Sequence, residues 1–346
     1  MDFSYDISAP YFENFAQGPR LGPLPQLPST DPVEFLGQKI NSRLGIAAGL
    51  LLNSKWIEGY AARGWDLLTY KTVRSSAREC YPPPNWAFVN ADEGMGPVYA
   101  MADLPEAPNT VSSAVCFGMP SMSPEYWRED ISRAKEAMSV GQMLIVSVVA
   151  SPDTGWSPEQ VADDYAQCAA WAVEAGADVI EANYSCPNVC SAEGQVYCDA
   201  RLSETVTQAI RGAIGNISLL LKIGVFPNVE NQRAFLHAVA SSASGITLVN
   251  GISRPVLHSD GRPVFGEQYV KAGVLGRIIH EPCVKAVRDA RAVIESENLS
   301  LSLAAVGGVS SLADYNEFIE AGAEAVLCGS SPMYLPDLAI EIKSNL

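Results

Sequence analysis

This chain has no Cys-x-x-Cys pair, no Gly-x-Gly-x-x-Gly after its first apolar run, and no apolar stretch near the roughly 18 residues that cross a bilayer. The first absence removes zinc and iron–sulfur frameworks, and the eight irregularly spaced cysteines read as reduced, mostly buried thiols. Cys80, Cys168, Cys283 and Cys328 are expected in the core. The second absence argues against an open dinucleotide-binding sheet, and the third against a membrane span. Histidine is scarce, and His237, His258 and His280 form no metal or triad pattern. Basic residues are outnumbered 23 to 39, a net charge of −16. That balance disfavours nucleic acid and anionic membranes as partners, although a local pair of lysines can still attract a small anion. The start, Met1-Asp2-Phe3-Ser4-Tyr5-Asp6, lacks the basic and apolar regions of a signal peptide, so the expected address is the cytoplasm.

What is present is enough for a large core: 346 residues, 48% of them hydrophobic. Residues 1–43 are rich in proline and glycine and read as an irregular lead-in or lid, and residues 44–346 as one domain. From residue 44 onward short apolar runs alternate with amphipathic stretches. The runs are 44–49, 67–73, 143–150, 177–185, 218–225, 245–252, 302–309 and 325–331. Helical patterns include 158–175, 203–214, 229–242, 282–296 and 312–321. Eight strands, each followed by a helix, make a parallel sheet that closes on itself, an α/β fold of the (β/α)8 TIM-barrel type. Inserts at about 74–123 and 253–276 follow the second and sixth strands, so both should overhang the carboxyl face where barrels keep their chemistry.

The fourth run ends in Glu181-Ala182-Asn183-Tyr184-Ser185-Cys186-Pro187-Asn188, polar side chains at the end of a buried strand. Such groups are costly there unless something requires them. Lys71 and Lys222 end the second and fifth runs; each lysine alone could snorkel to solvent, but two on one rim favour an anionic ligand. Gly307-Gly308 and Gly329-Ser330 end the last two strands, where backbone N–H groups commonly hold a phosphate. Cys186 is the candidate base or nucleophile, with Cys198 as its rival on the same loop. Asn183, Asn188 and Asn250 can each pair with the edge of a cyclic amide or imide, their alternative being loop capping. The residues by themselves thus indicate a barrel enzyme with a phosphate-bearing cofactor.

Asn183-Tyr184-Ser185-Cys186-Pro187-Asn188 resembles the Asn-x-Ser-Cys-Pro-Asn signature of class 1 dihydroorotate dehydrogenases, shared in part by the catalytic domain of dihydropyrimidine dehydrogenases. The likeness runs from about residue 44 to the C-terminus. It includes Ala47-Ala48-Gly49, Lys71-Thr72, Pro82-Pro83-Pro84, Lys222, Asn250, Gly307-Gly308 and Gly329-Ser330. The opening Leu44-Gly45-Ile46-Ala47-Ala48-Gly49 is worded more like class 2, whereas Leu52, Lys71 and the loop cysteine point to class 1.

The resemblance implies an FMN-binding barrel that interconverts dihydroorotate and orotate in pyrimidine biosynthesis. Ala48, Gly49, Lys71, Thr72, Ser147, Asn183, Lys222, Gly276, Gly307, Gly308, Gly329 and Ser330 would line the flavin. Cys186 would be the base, Lys222 would stabilise the reduced flavin, and Lys71 would serve flavin and substrate together. Lys71, Asn183, Asn188 and Asn250 would hold the pyrimidine-like ring.

Three departures bear on the substrate. Val115 and Ser121 stand where the family places asparagines, and Gly251 where it places serine or threonine. Reduction of another dihydropyrimidine or enone is therefore the enzymatic alternative, and a non-redox barrel binding a phosphorylated ligand the alternative of another class. The lead-in is too proline-rich for the amphipathic helix pair by which class 2 enzymes reach quinones. A soluble acceptor such as fumarate or a separate electron-transfer subunit is expected, and kinship suggests a homodimer.

Overall fold

The computed structural model describes residues 3–90, 95–104, 107–185 and 196–346. Eight parallel strands close into a barrel in chain order. We number them β1 (Leu44–Ile46), β2 (Leu67–Arg74), β3 (Met143–Val149), β4 (Val179–Asn183), β5 (Ser218–Ile223), β6 (Gly245–Leu248), β7 (Ser302–Val306) and β8 (Ala325–Cys328). One helix follows each strand: α1 (Ser54–Ala61), α2 (Pro124–Glu136), α3 (Pro158–Glu174), α4 (Ala200–Ile214), α5 (Val229–Val239), α6 (His280–Ser296), α7 (Leu312–Glu320) and α8 (Leu338–Lys343).

Burial on both faces explains why these strands read as unbroken apolar runs. Along β3, Leu144, Val146 and Val148 pack outward with the helices. Met143 and Ile145 point the other way and join Leu67, Val179, Leu220 and Leu327 in the barrel interior. The amino-terminal end of that interior is closed by a hairpin of Val33–Phe35 and Gln38–Ile40, which contributes Phe35 and Ile40. Two residues further along each strand the inward positions turn polar: Ser147 pairs in register with Glu181, and Lys222 with Asn183. The chemistry therefore sits on the same inward-facing rows as the core, at the carboxyl ends.

The two inserts build a second, smaller closed sheet. Trp86–Asn90, Val98–Ala100, Ser112–Val115, Ile252–Leu257 and Lys271–Gly276 pair in a ring, antiparallel except between Val98–Ala100 and Ile252–Leu257. The apolar run expected at 245–252 is thus divided: β6 ends at Leu248, and Ile252 opens a strand of the smaller sheet. Asn250-Gly251 occupies the break, and the Asn250 amide N–H bonds the Ile223 carbonyl at 2.9 Å.

Within the lead-in, Tyr11–Gln17 forms a helix. Its neighbourhood is tied to the barrel by the Ser4 amide to Met333 O (2.8 Å), by Asn53 Nδ2 to Phe15 O (2.7 Å) and by Lys55 Nζ to Ala16 O (2.6 Å). These bonds bring Tyr5 and Tyr11 to the carboxyl face. Among the described residues no helix is long and apolar enough to cross a membrane.

Candidate active site

A cavity at the carboxyl face gathers residues from seven of the eight barrel strands or their carboxyl ends, from the smaller sheet and from the lead-in. Of the residues singled out in the sequence, Ala48, Gly49, Lys71, Thr72, Asn183, Lys222, Asn250, Gly276, Gly307, Gly308, Gly329 and Ser330 lie on its wall. Ser147 does not; it is fully buried behind Thr72, its hydroxyl 3.0 Å from Thr72 Oγ1. Cys186 and Asn188 lie outside the described residues. The rival Cys198 is exposed and is absent from the cavity wall. Cys168, Cys283 and Cys328 are buried as expected, whereas Cys80 is only half-buried. Burial nevertheless pushes the Cys80 thiol up to about 11, against the pull of nearby Lys71.

The strand ends hold the polar side chains in a connected set. Asn183 Oδ1 accepts from the Ser185 amide and from Asn250 Nδ2, both at 3.3 Å, and Asn183 Nδ2 approaches Thr72 Oγ1 at 3.5 Å. Asn250 Nδ2 also donates to the Ser185 carbonyl. These bonds anchor Asn183 and Ser185, the first residues of the signature, to Thr72 on β2 and to Asn250 beyond β6.

Lys222 is 4% exposed, with Nζ 3.5 Å from the Ala48 carbonyl and 3.9 Å from Glu181 Oε1. Glu181 is completely buried, and among the described residues neither of its carboxylate oxygens accepts a hydrogen bond. A carboxylate in that position is costly, and the ammonium of Lys222 is its compensating charge.

The opposite chemistry marks the glycine turns. Gly308 has φ +68°, and a Cβ there would stand 2.6 Å from the Gly276 carbonyl, so the two turns meet backbone to backbone. At Gly49 and Gly329 a Cβ would meet nothing within 4 Å. Both present bare backbone to the cavity. Helix α7 starts just beyond Gly307-Gly308, with Ser311 as its N-cap. Glycine turns beside a helix amino end suit a phosphate. Together with two lysines and the asparagine set, the wall fits a flat, hydrogen-bonding ring with a phosphate tail.

A family model described as dihydroorotate dehydrogenase matches residues 32–346. The chain belongs to the dihydroorotate dehydrogenase family. It is 31% identical to dihydroorotate dehydrogenase of Dictyostelium discoideum, over 99% of this chain and 96% of that protein. The dihydroorotate dehydrogenase B (NAD(+)) catalytic subunit of Methanothermobacter thermautotrophicus is 29% identical over 69% of this chain and 71% of its own length. The fold is similar to a crystal structure of DHODH in complex with ferulenol from Eimeria tenella, at TM-score 0.70 and 16% identity, covering 90% of this chain and 82% of that one.

The three residues read as departures in the sequence fall at different places in the structure. Val115 is on the cavity wall, in register with Trp86 on one side and Gly273 on the other. A Cβ on Gly251 would stand 2.9 Å from Leu275 Cδ2, so a larger side chain there requires the Leu275 side chain to shift. Ser121 is buried away from the cavity, accepting from the Arg74 amide at 3.1 Å and donating to the Met122 carbonyl at 2.9 Å.

Sequence reasoning missed Tyr5, Tyr11, Trp86, Phe117, Arg277 and Tyr334, all on the cavity wall. The aromatics had no signal distinguishing them from core residues. Arg277 had one, a cation directly after Gly276 at the end of an insert.

Proposed function

We propose that this chain is an FMN-dependent, class 1 dihydroorotate dehydrogenase. The observation that carries the reading is that Lys71, Lys222, Asn183 and Asn250 share one cavity with the Gly307-Gly308 and Gly329-Ser330 turns, in a chain of this family. Oxidation of dihydroorotate removes a proton from one ring carbon and a hydride from its neighbour. FMN, when bound, supplies the two-electron acceptor for that hydride.

The protein's own residues do the rest. The bare backbone at Gly329 and Gly49, with Ser330 and the Gly307-Gly308 turn, would hold the cofactor. Lys222, already fixed between Glu181 and the Ala48 carbonyl, places a cation where negative charge develops. Asn183 and Asn250 hold each other's amides and present them to a cyclic imide, so a substrate of that pattern meets preset partners. Lys71 supports the same ring. Cys186, on the loop that follows, is assigned as the base that takes the proton, in preference to exposed Cys198. Lys71 and the loop cysteine are also what favours class 1. Relatives named as catalytic subunits favour passing the electrons to a separate partner, and steady turnover of the isolated chain with fumarate would remove the need for one.

Anaerobic mixing tests the reading. Dihydroorotate should bleach the bound flavin within a turnover. Bleaching by dihydrouracil, with none by dihydroorotate, would move the activity to another dihydropyrimidine.

A further inference from the structure

The proposed flavin reading assigns no side chain to the charge of the phosphate, and one residue on the cavity wall is placed for it. Among the described wall residues the lysines and arginines are Lys71, Lys222 and Arg277. The first two lie on β2 and β5, with Lys222 in register with Asn183, one of the ring-binding asparagines. Arg277 follows Gly276 directly, and the Gly276 carbonyl lies against Gly308. Arg277 therefore belongs to the glycine-turn end of the cavity. Its own amide donates to the Val111 carbonyl at 3.0 Å, which fixes the turn from below.

The acidic surroundings make a cation necessary there. Asp314, in the first turn of α7, is buried; its Oδ2 accepts from the Ser310 amide (2.9 Å) and from the hydroxyls of Ser310 (3.1 Å) and Ser311 (2.9 Å). That carboxylate already uses one of the N–H groups at this helix start. A phosphate brought to the same turn would face Asp314 in a chain of net charge −16. Arg277 Nη1 is 2.7 Å from Asp314 Oδ1, yet the side chain is 48% exposed. A guanidinium has five donors in a planar fork, so it can bind a carboxylate on one edge and a phosphate on another.

We propose that Arg277, anchored by Asp314, is the residue that recognises the cofactor's phosphate and makes this chain select FMN over riboflavin. The assignment rests on the flavin reading above. It is tested by stripping the protein of flavin and titrating it with FMN and with riboflavin, following quenching of flavin fluorescence. Wild type should prefer FMN. Arg277→Gln should weaken FMN at least tenfold and leave riboflavin within about twofold, since riboflavin lacks the phosphate. Arg277→Lys should recover part of the loss, and added salt should weaken FMN binding to wild type more than to Arg277→Gln. Unchanged FMN affinity in Arg277→Gln would overturn the assignment, as would an equal loss for both flavins, which would make the arginine a brace for the turn. If wild type takes up neither flavin, the flavin reading fails and the assignment falls with it.

Discussion

Replacing Glu181 and Lys222 singly and together gives the sharpest test of how the barrel interior supports its site. The two side chains are 0% and 4% exposed and 3.9 Å apart. At an effective dielectric of about 20, unit charges at that separation attract by about 4 kcal/mol. Glu181→Leu leaves the Lys222 ammonium buried without its counter-charge, and Lys222→Met leaves the carboxylate. Each single change should cost about 3–5 kcal/mol. Glu181→Leu with Lys222→Met removes both charges at similar volume, and should cost far less than the sum, because apolar replacement of a buried pair is often close to neutral. Urea unfolding of flavin-free protein reads these values as midpoint shifts at constant slope. Working without flavin matters, since a ligand that touches Lys222 would add its own linkage. A single-variant loss below about 1 kcal/mol, or losses that simply add in the double variant, would refute the claim that the two charges compensate each other.

Three further outcomes follow from the same geometry. Cys186→Ala should keep its flavin but slow reduction by dihydroorotate by about 10²–10⁴-fold in stopped flow, whereas Cys198→Ala stays near wild type; the reverse pattern would transfer the base. Gly251→Ser should lower stability by about 1–3 kcal/mol through contact with Leu275, and adding Leu275→Ala should return most of it; a neutral Gly251→Ser in thermal melts would mean that Leu275 yields freely. At Asp314, burial alone would raise the carboxyl, but the Ser310 amide, the Ser311 hydroxyl, the His280 ring and the Ser310 hydroxyl outweigh it and hold it below the usual range. A lowered carboxyl contributes stability above its unfolded value, near pH 4, that is lost as pH falls through the folded value. Melting curves from pH 5 downward should therefore fall less steeply for Asp314→Asn than for wild type, and parallel curves would count against it.

The barrel was readable because strands buried on both faces cannot hide: each shows as an apolar run. Lys71 and Lys222 were readable for the same reason, as charges that an apolar strand does not tolerate idly. The same logic applies to Glu181, which stood in the quoted signature without a role until its distance to Lys222 was known. Tyr5 and Trp86 were not readable. They reach the cavity through the docking of the lead-in and through the smaller sheet, both set by pairings between segments far apart in the chain. The inserts were placed over the correct face, but their closed sheet depends on Ser112–Val115 bridging Trp86–Asn90 and Lys271–Gly276, which no local pattern announces.

Heat release of the bound chromophore from freshly purified protein addresses the central claim most directly. The expected result is a yellow supernatant whose flavin has the mass of FMN, at about one per chain. A colourless supernatant, from protein that also fails to take up added FMN, would contradict it.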